Sequence, residues 1–456
     1  MIGKPPRTRN IARRISNTAL INASSWDIKM HYHLLGLVSD KYTKLVLQAP
    51  VPFNPFQLDV KNTYLFDYFR CTASRSLTTF GHDPTSMGNL LIRMALANSS
   101  PSSAAVLRSL LALSSLHLHG LQGQAGELKL SALNALATAS RTSIGPMETA
   151  QHVAAGMLLC SFEILRASCT SGQWRCYVGG VKMFINASCS GISDRDSDLN
   201  ILLDWVYYHD VLSRFSGLHW RSEKDMDIPP PCSSEYPWRR AIPSTASSFG
   251  TTVQLLSEVC DIVAVRPLQT APAEQLSQYI ANAQILAWRI NNIPEDENTI
   301  NPKLPKMTEL FQLSMLIYLS RATGNLFEPP YMTEQRIRHA LAMLSDLNTC
   351  ERQFPLFVIG CEARTDDERG KVLDLIDRTE DSTSSRSLFL VKELIKSIWV
   401  QDDLADREVD YMDKLTWCGL SRHALPWLVP REIDQSFYRC PSFVTGNLFF
   451  VLQDSE

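Results

Sequence analysis

Three carboxylates stand close together late in the chain, in Asp402-Asp403-Leu404-Ala405-Asp406. Aspartates in this DDxxD pattern can hold magnesium ions, and the ions in turn a substrate diphosphate. That chemistry needs a second metal-binding motif well downstream, and only fifty residues follow Asp406. The cluster also follows a helix ending near Trp399, where acidic residues ordinarily form a solvated exit. The expectation is three solvated carboxylates that can become Asn with little effect on stability.

Two histidine pairs raise the same question. Positions two apart on a helix diverge by about 200°, so His117 and His119 cannot readily share one ion. His31 and His33 would share a face on an extended segment, but no acid or cysteine accompanies them. Both pairs read as structural or surface histidines. Eleven cysteines are scattered at positions 71, 160, 169, 176, 189, 232, 260, 350, 361, 418 and 440. None forms the CxxC pair from which one turn presents two thiolates to a zinc ion. An odd count in a long chain argues against a disulfide framework, so most are expected to be small buried apolar residues. GxSxG, HExxH, GxGxxG and GxxxxGK[ST] are all missing. No metal, cofactor or catalytic residue is expected.

The elements that would position these residues are helical. From about residue 100 apolar side chains recur at helical spacing. Val106, Leu107, Leu110, Leu111, Leu113 and Leu118 belong to a first helix closed by Gly120 and Gly123. Leu128, Leu130, Ala132, Leu133 and Leu136 belong to a second, over 127–141. Further helices are predicted over 148–166, 173–186 (interrupted by Gly179-Gly180, a pair suited to close backbone packing), 198–216, 253–265, 274–293, 307–323, 333–347 and 388–399. Pro-rich 225–250 reads as a surface loop and polar 379–387 as a shorter one. No alternating β-branched run demands a strand. The fold class is all-α: a large body of antiparallel helix pairs without significant sheet.

The whole chain has 456 residues, 45% hydrophobic, and a formal net charge of -3, which suits a globular protein better than one that coats nucleic acid. No apolar run reaches the ~18–20 residues of a membrane span. Only the first thirty residues are strongly biased, with Lys4, Arg7, Arg9, Arg13, Arg14 and Lys29 against Asp27. They suit a solvated tail, a nuclear-import or phosphate-contacting arm, or an organellar transit peptide.

Several strings, in order, carry a resemblance: VLRSLLALSSLHLHG (106–120), ELKLSALNALATAS (127–140), AAGMLLCSFEIL (154–165), WRCYVGGVKMFI (174–185), LLDWVYYHDVLSRFSG (202–217), QLSMLIYLSRATG (312–324) and PLFVIGCEARTDDERGKVLDLIDR (355–378). Together, over about residues 63–428, they resemble the fungal-specific transcription factor regulatory domain, second type, which follows the binuclear zinc cluster in many fungal regulators. The resemblance implies a helical middle homology region in a nuclear regulator. The family's customary DNA reader is a cysteine-rich module with CxxC pairs, and here no cysteine precedes Cys71. Within 355–378, Gly360, Cys361 and Ala363 read as small residues that let helices approach. Arg364, Asp366, Asp367, Glu368 and Arg369 read as a solvated helix start.

The resulting expectation is a basic segment at 1–62, a helical regulatory domain at 63–428 and a tail at 429–456. The protein would be a non-enzymatic transcription regulator in the nucleus, governing one metabolic pathway or gene cluster. DNA would be met weakly through Lys4, Arg7, Arg9, Arg13 and Arg14, or through a partner regulator or an upstream zinc cluster. A small-molecule effector and homo- or heterodimers fit the same picture. The alternatives are a magnesium-dependent all-α enzyme of the terpene synthase kind, for which Asp402, Asp403 and Asp406 would be the ligands, and a helical scaffold that modulates another regulator.

Overall fold

The computed structural model describes residues 60–77, 84–120, 123–141, 145–166, 173–188, 197–220, 248–267, 271–293, 303–383, 388–405 and 409–416. The basic residues Lys4 to Arg14, the pair His31/His33, Asp406, the tail 429–456 and residues 225–247 of the proline-rich loop lie outside them, while 248–250 of that loop are helical. Among the described residues every regular element is helical.

The chain runs through α1 (Val60–Cys71), a 3-10 turn (Ala73–Ser76), α2 (Pro84–Leu96), α3 (Pro101–His119), α4 (Gly123–Ala139), α5 (Pro146–Arg166), α6 (Gln173–Ser188) and α7 (Ser197–His219). It continues with α8 (Ser248–Ala264), α9 (Ala273–Asn291), α10 (Lys303–Ala322), α11 (Pro330–Asp346), α12 (Gln353–Cys361), α13 (Asp366–Thr383) and α14 (Phe389–Leu404). A last helical segment covers 411–416.

Helix α3 shows why these residues make these elements. Pro101 opens it, where a missing amide costs nothing, and the Ser100 hydroxyl accepts from the Ser103 amide at 3.2 Å. Gly120, at φ +68°, ends it in a conformation that L side chains rarely adopt. Between these caps 102–116 is buried at nearly every position, because α1, α2, α4 and α5 all pack around it. A helix apolar all round belongs inside the body. Gln151 of α5 ties the centre together, its amide donating to the Met94 carbonyl at 3.1 Å and to Ser103 Oγ at 2.7 Å.

From this centre the packing passes along the chain. Helix α5 packs on α6 and α7, α7 on α8, α8 on α9 and α10, and α10 on α11 and α12; α12 then meets α14. The Phe215 ring joins α7 to α10 and α12, with edge-on contacts to Tyr318, Phe354 and Phe357 at centroid distances of 5.1, 5.2 and 6.0 Å.

Three sequence expectations need correction, and that for the cysteines holds for most of those described. Helices α1 and α2 precede residue 100 and were not legible in the periodicity. Helix α6 runs unbroken through Gly179-Gly180, and a Cβ at either glycine would meet nothing within 4 Å. The close approach occurs instead at Gly156, where a Cβ would lie 2.4 Å from Val181 Cγ2. Residues 379–383, expected in a loop, extend α13. Of the cysteines described, Cys160, Cys260, Cys350 and Cys361 are buried as expected, whereas Cys71 and Cys176 are exposed.

Candidate functional site

The segment with the sharpest family pattern, 355–378, begins with α12, whose residues Phe354–Cys361 are all buried. Gly360 is small for a reason: a Cβ there would lie 2.6 Å from Ile395 Cδ1 of α14. Its carbonyl accepts from Trp399 Nε1 at 2.9 Å. Helix α13 then starts with a reciprocal cap. The Glu368 carboxylate accepts from the Arg364 and Thr365 amides at 2.9 and 3.0 Å, and the Glu368 amide donates to Thr365 Oγ1 at 3.3 Å. Burial pushes the Glu368 carboxyl up, but those amide donors outweigh it and hold it below its usual range.

Around this turn four cations meet four carboxylates. Arg321 of α10 donates to Glu362 at 3.2 and 3.0 Å and to Glu334 of α11 at 2.7 Å. Burial opposes the Arg321 charge, but Glu362 and Glu334 raise its basicity further. Arg364 reaches Asp402 at 3.3 Å, and Asp402 also pairs with Lys414. Arg369 grips Asp403 through two parallel hydrogen bonds of 2.8 Å, with its guanidinium 5.3 Å from the centre of the Trp399 ring. The fork bonds hold the Asp403 carboxyl below the ordinary range of aspartate.

The solvated exit expected at Asp402-Asp403 is therefore corrected at Asp402. Asp402 is 9% exposed and sits between two cations, while Asp403 is exposed but held by the fork. Arg369, expected in solvent, is only 15% exposed. A magnesium ion here would have to displace Arg364, Lys414 and Arg369 from the oxygens it needs. Among the described residues no group of three His, Cys, Asp or Glu side chains is placed to hold a metal. His117 instead meets the Tyr68 hydroxyl at 2.8 Å through Nδ1, and burial lowers its pKa; His119 is exposed.

Other charge pairs join neighbouring helices in the same way. Lys129 of α4 pairs with Glu163 of α5, whose side chain is fully buried. Lys182 of α6 donates to Asp210 of α7 at 2.6 Å, and Arg214 of α7 to Asp261 of α8 at 2.6 Å. Arg321–Glu362 connects the string at 312–324 with that at 355–378. Sequence reasoning named Glu362 and Arg321 only inside quoted strings and did not single out Lys182, Asp210 or Lys414. The available signal was a lone charge within an otherwise apolar helical face. On the surface between α8 and α9 a groove of about 280 Å³ runs beside the Arg289–Glu258 pair, with Ile285 and Trp288 of α9 exposed next to it.

The ordered strings thus form one connected body, and comparison with known proteins covers the same stretch. Residues 64–421 match the family model described as the fungal specific transcription factor domain. The chain belongs to that family. It is also 42% identical over 375 residues to transcription factor iacI of Pestalotiopsis fici, an alignment covering 81% of this chain and 96% of that protein. No solved structure matches. The protein is a fungal transcription regulator, and among the described residues of its regulatory domain no helix is long and apolar enough to cross a membrane.

Proposed function

We propose that this regulator acts in the nucleus as a non-enzymatic controller of one metabolic pathway or gene cluster. Its helical domain, over about residues 63–428, would supply regulation and partner contacts. A basic segment at 1–62 and a tail at 429–456 would flank it. The observation that carries the non-catalytic reading is the consumption of the acidic motif: Asp402 and Asp403 are committed to Arg364, Lys414 and Arg369. Side chains whose charge is neutralised by protein cations are structural anchors, not free metal ligands.

DNA targeting would come from a partner regulator or from a zinc cluster outside this sequence, with Lys4, Arg7, Arg9, Arg13 and Arg14 adding weak phosphate contacts. A small-molecule effector and pairing with a second regulator remain part of the proposal. The test is a transcript profile of the fungal host with and without the gene. Loss of expression confined to a small set of functionally linked genes supports the reading. Unchanged transcripts, or a magnesium-dependent turnover of a prenyl diphosphate by the purified chain, would overturn it.

A further inference from the structure

The segment 409–416 is held by the ends of three helices, two of them distant in sequence. Trp220, just past α7, donates from Nε1 to the Leu415 carbonyl at 2.8 Å. Arg266, just past α8, lies 3.6 Å from Asp410. Lys414 pairs with Asp402 on α14. Between these polar anchors Leu415 is fully buried, and the Tyr411 ring lies 6.4 Å from that of Tyr318. Tyr318 in turn meets His219 Nε2 at 2.7 Å through its hydroxyl.

Two features make this contact a balance of opposing terms. Asp402 serves two cations at once, Lys414 of the segment and Arg364 of the body, so one carboxylate fixes the segment to the domain. Against that, the Tyr411 hydroxyl and His219 Nδ1 are buried with no hydrogen-bond partner. Lifting would give the Tyr411 hydroxyl, which moves with the segment, access to water, a gain that opposes closure. An element with few anchors and unmet polar groups opens below the global unfolding free energy.

We propose that 409–416 is a conformational strap, closed by Asp402 and able to lift as a unit while α10, α12 and α14 stay folded. Lifting uncovers an aromatic, hydrogen-bonding surface that includes Tyr318, His219 and Trp220. The domain then has two states that differ in whether this surface is covered, the kind of bistable element on which regulation acts.

Hydrogen exchange of the full chain, read by mass spectrometry, tests the strap. Asp402→Asn and Lys414→Met should each speed exchange at 409–416 tenfold or more while amides at 310–320 and 354–361 keep their protection. Lys414→Arg and Asp403→Asn should stay close to the parent. Should Asp402→Asn fail to fold, the parent in low urea provides the same test. The strap amides should then exchange through an opening with a much smaller urea dependence than that of α10. Unchanged exchange at 409–416 in Lys414→Met, or exchange that always moves together with 310–320 and 354–361, would overturn the proposal.

Discussion

The Lys182 ammonium and the Asp210 carboxylate lie 2.6 Å apart, with 9% and 6% of their side chains exposed. A charge pair this dry contributes little net stability over an apolar pair of the same shape, because both ions lose their hydration. Its significance is that neither partner tolerates the loss of the other. Lys182→Met alone should cost about 3–5 kcal/mol, since it strands the buried Asp210 carboxylate, and Asp210→Leu should cost stability as well. The double variant should recover most of that loss. Urea midpoints of the four proteins check the expectation, and simple additivity of the two single losses would contradict it.

Glycine positions in the two packed helices α5 and α6 should respond in opposite directions. Gly156→Ala raises helix propensity by about 1 kcal/mol, but the new Cβ would press on Val181 Cγ2 at 2.4 Å. Val181 is β-branched and has few rotamers into which to retreat. The net effect should be a loss of about 1–2 kcal/mol from overpacking. Gly179→Ala projects into open space and should gain about 0.5–1 kcal/mol. Thermal unfolding of the two variants decides between this assignment and close packing at Gly179-Gly180.

The contrast between those glycines shows what the sequence makes legible. Helical spacing located α3 to α11 within a few residues, because burial of an apolar stripe leaves a period that can be read directly. The same signal failed at α12, where every residue after Gln353 is buried and so carries no period. It failed also for α1 and α2, whose faces are short. Nothing along the chain says which glycine meets a neighbour, since that depends on where the other helix passes. The charged seam was hidden for the same reason. Asp402 and Asp403 looked solvated because their partners Arg364, Arg369 and Lys414 come from elsewhere in the chain.

Acid should weaken the domain through two buried histidines. Burial pushes His209 down to about 4 despite the Nδ1–H bond to the Trp205 carbonyl, and His219 down to about 3. Their unfolded value is near 6.5. Between those limits the unfolded chain binds protons that the native chain does not, so stability rises with pH across the window and falls on acidification. The slope per histidine approaches about 1.4 kcal/mol per pH unit below pH 6. Unfolding midpoints at pH 7.5, 6.5 and 5.5 should fall between the last two more than between the first two. In His219→Gln, whose residual stability is measured at the same three pH values, the acid slope should be shallower than in the parent. An unchanged slope would show that His219 is protonated in the native state.

The basic residues Lys4, Arg7, Arg9, Arg13 and Arg14 set the scale of what the first twenty residues can do with DNA. Phosphate contacts from these five residues release about 4–5 counterions, so the logarithm of affinity should fall with the logarithm of salt at a slope of about −4.5. Raising salt from 50 to 200 mM would then weaken binding by several hundredfold. Phosphate contacts fix position without reading base edges, so a promoter fragment and a scrambled duplex should bind alike. Deleting residues 1–20 should remove most of the binding and flatten the salt dependence, while the unfolding midpoint of the helical domain stays where it was. The titration is run with purified chain on both duplexes at both salts. A hundredfold preference for the promoter at physiological salt, surviving the deletion, would place a DNA-reading surface on the helical domain itself. Equal, salt-erased binding would instead assign promoter choice to a bound partner or to a zinc cluster outside this sequence.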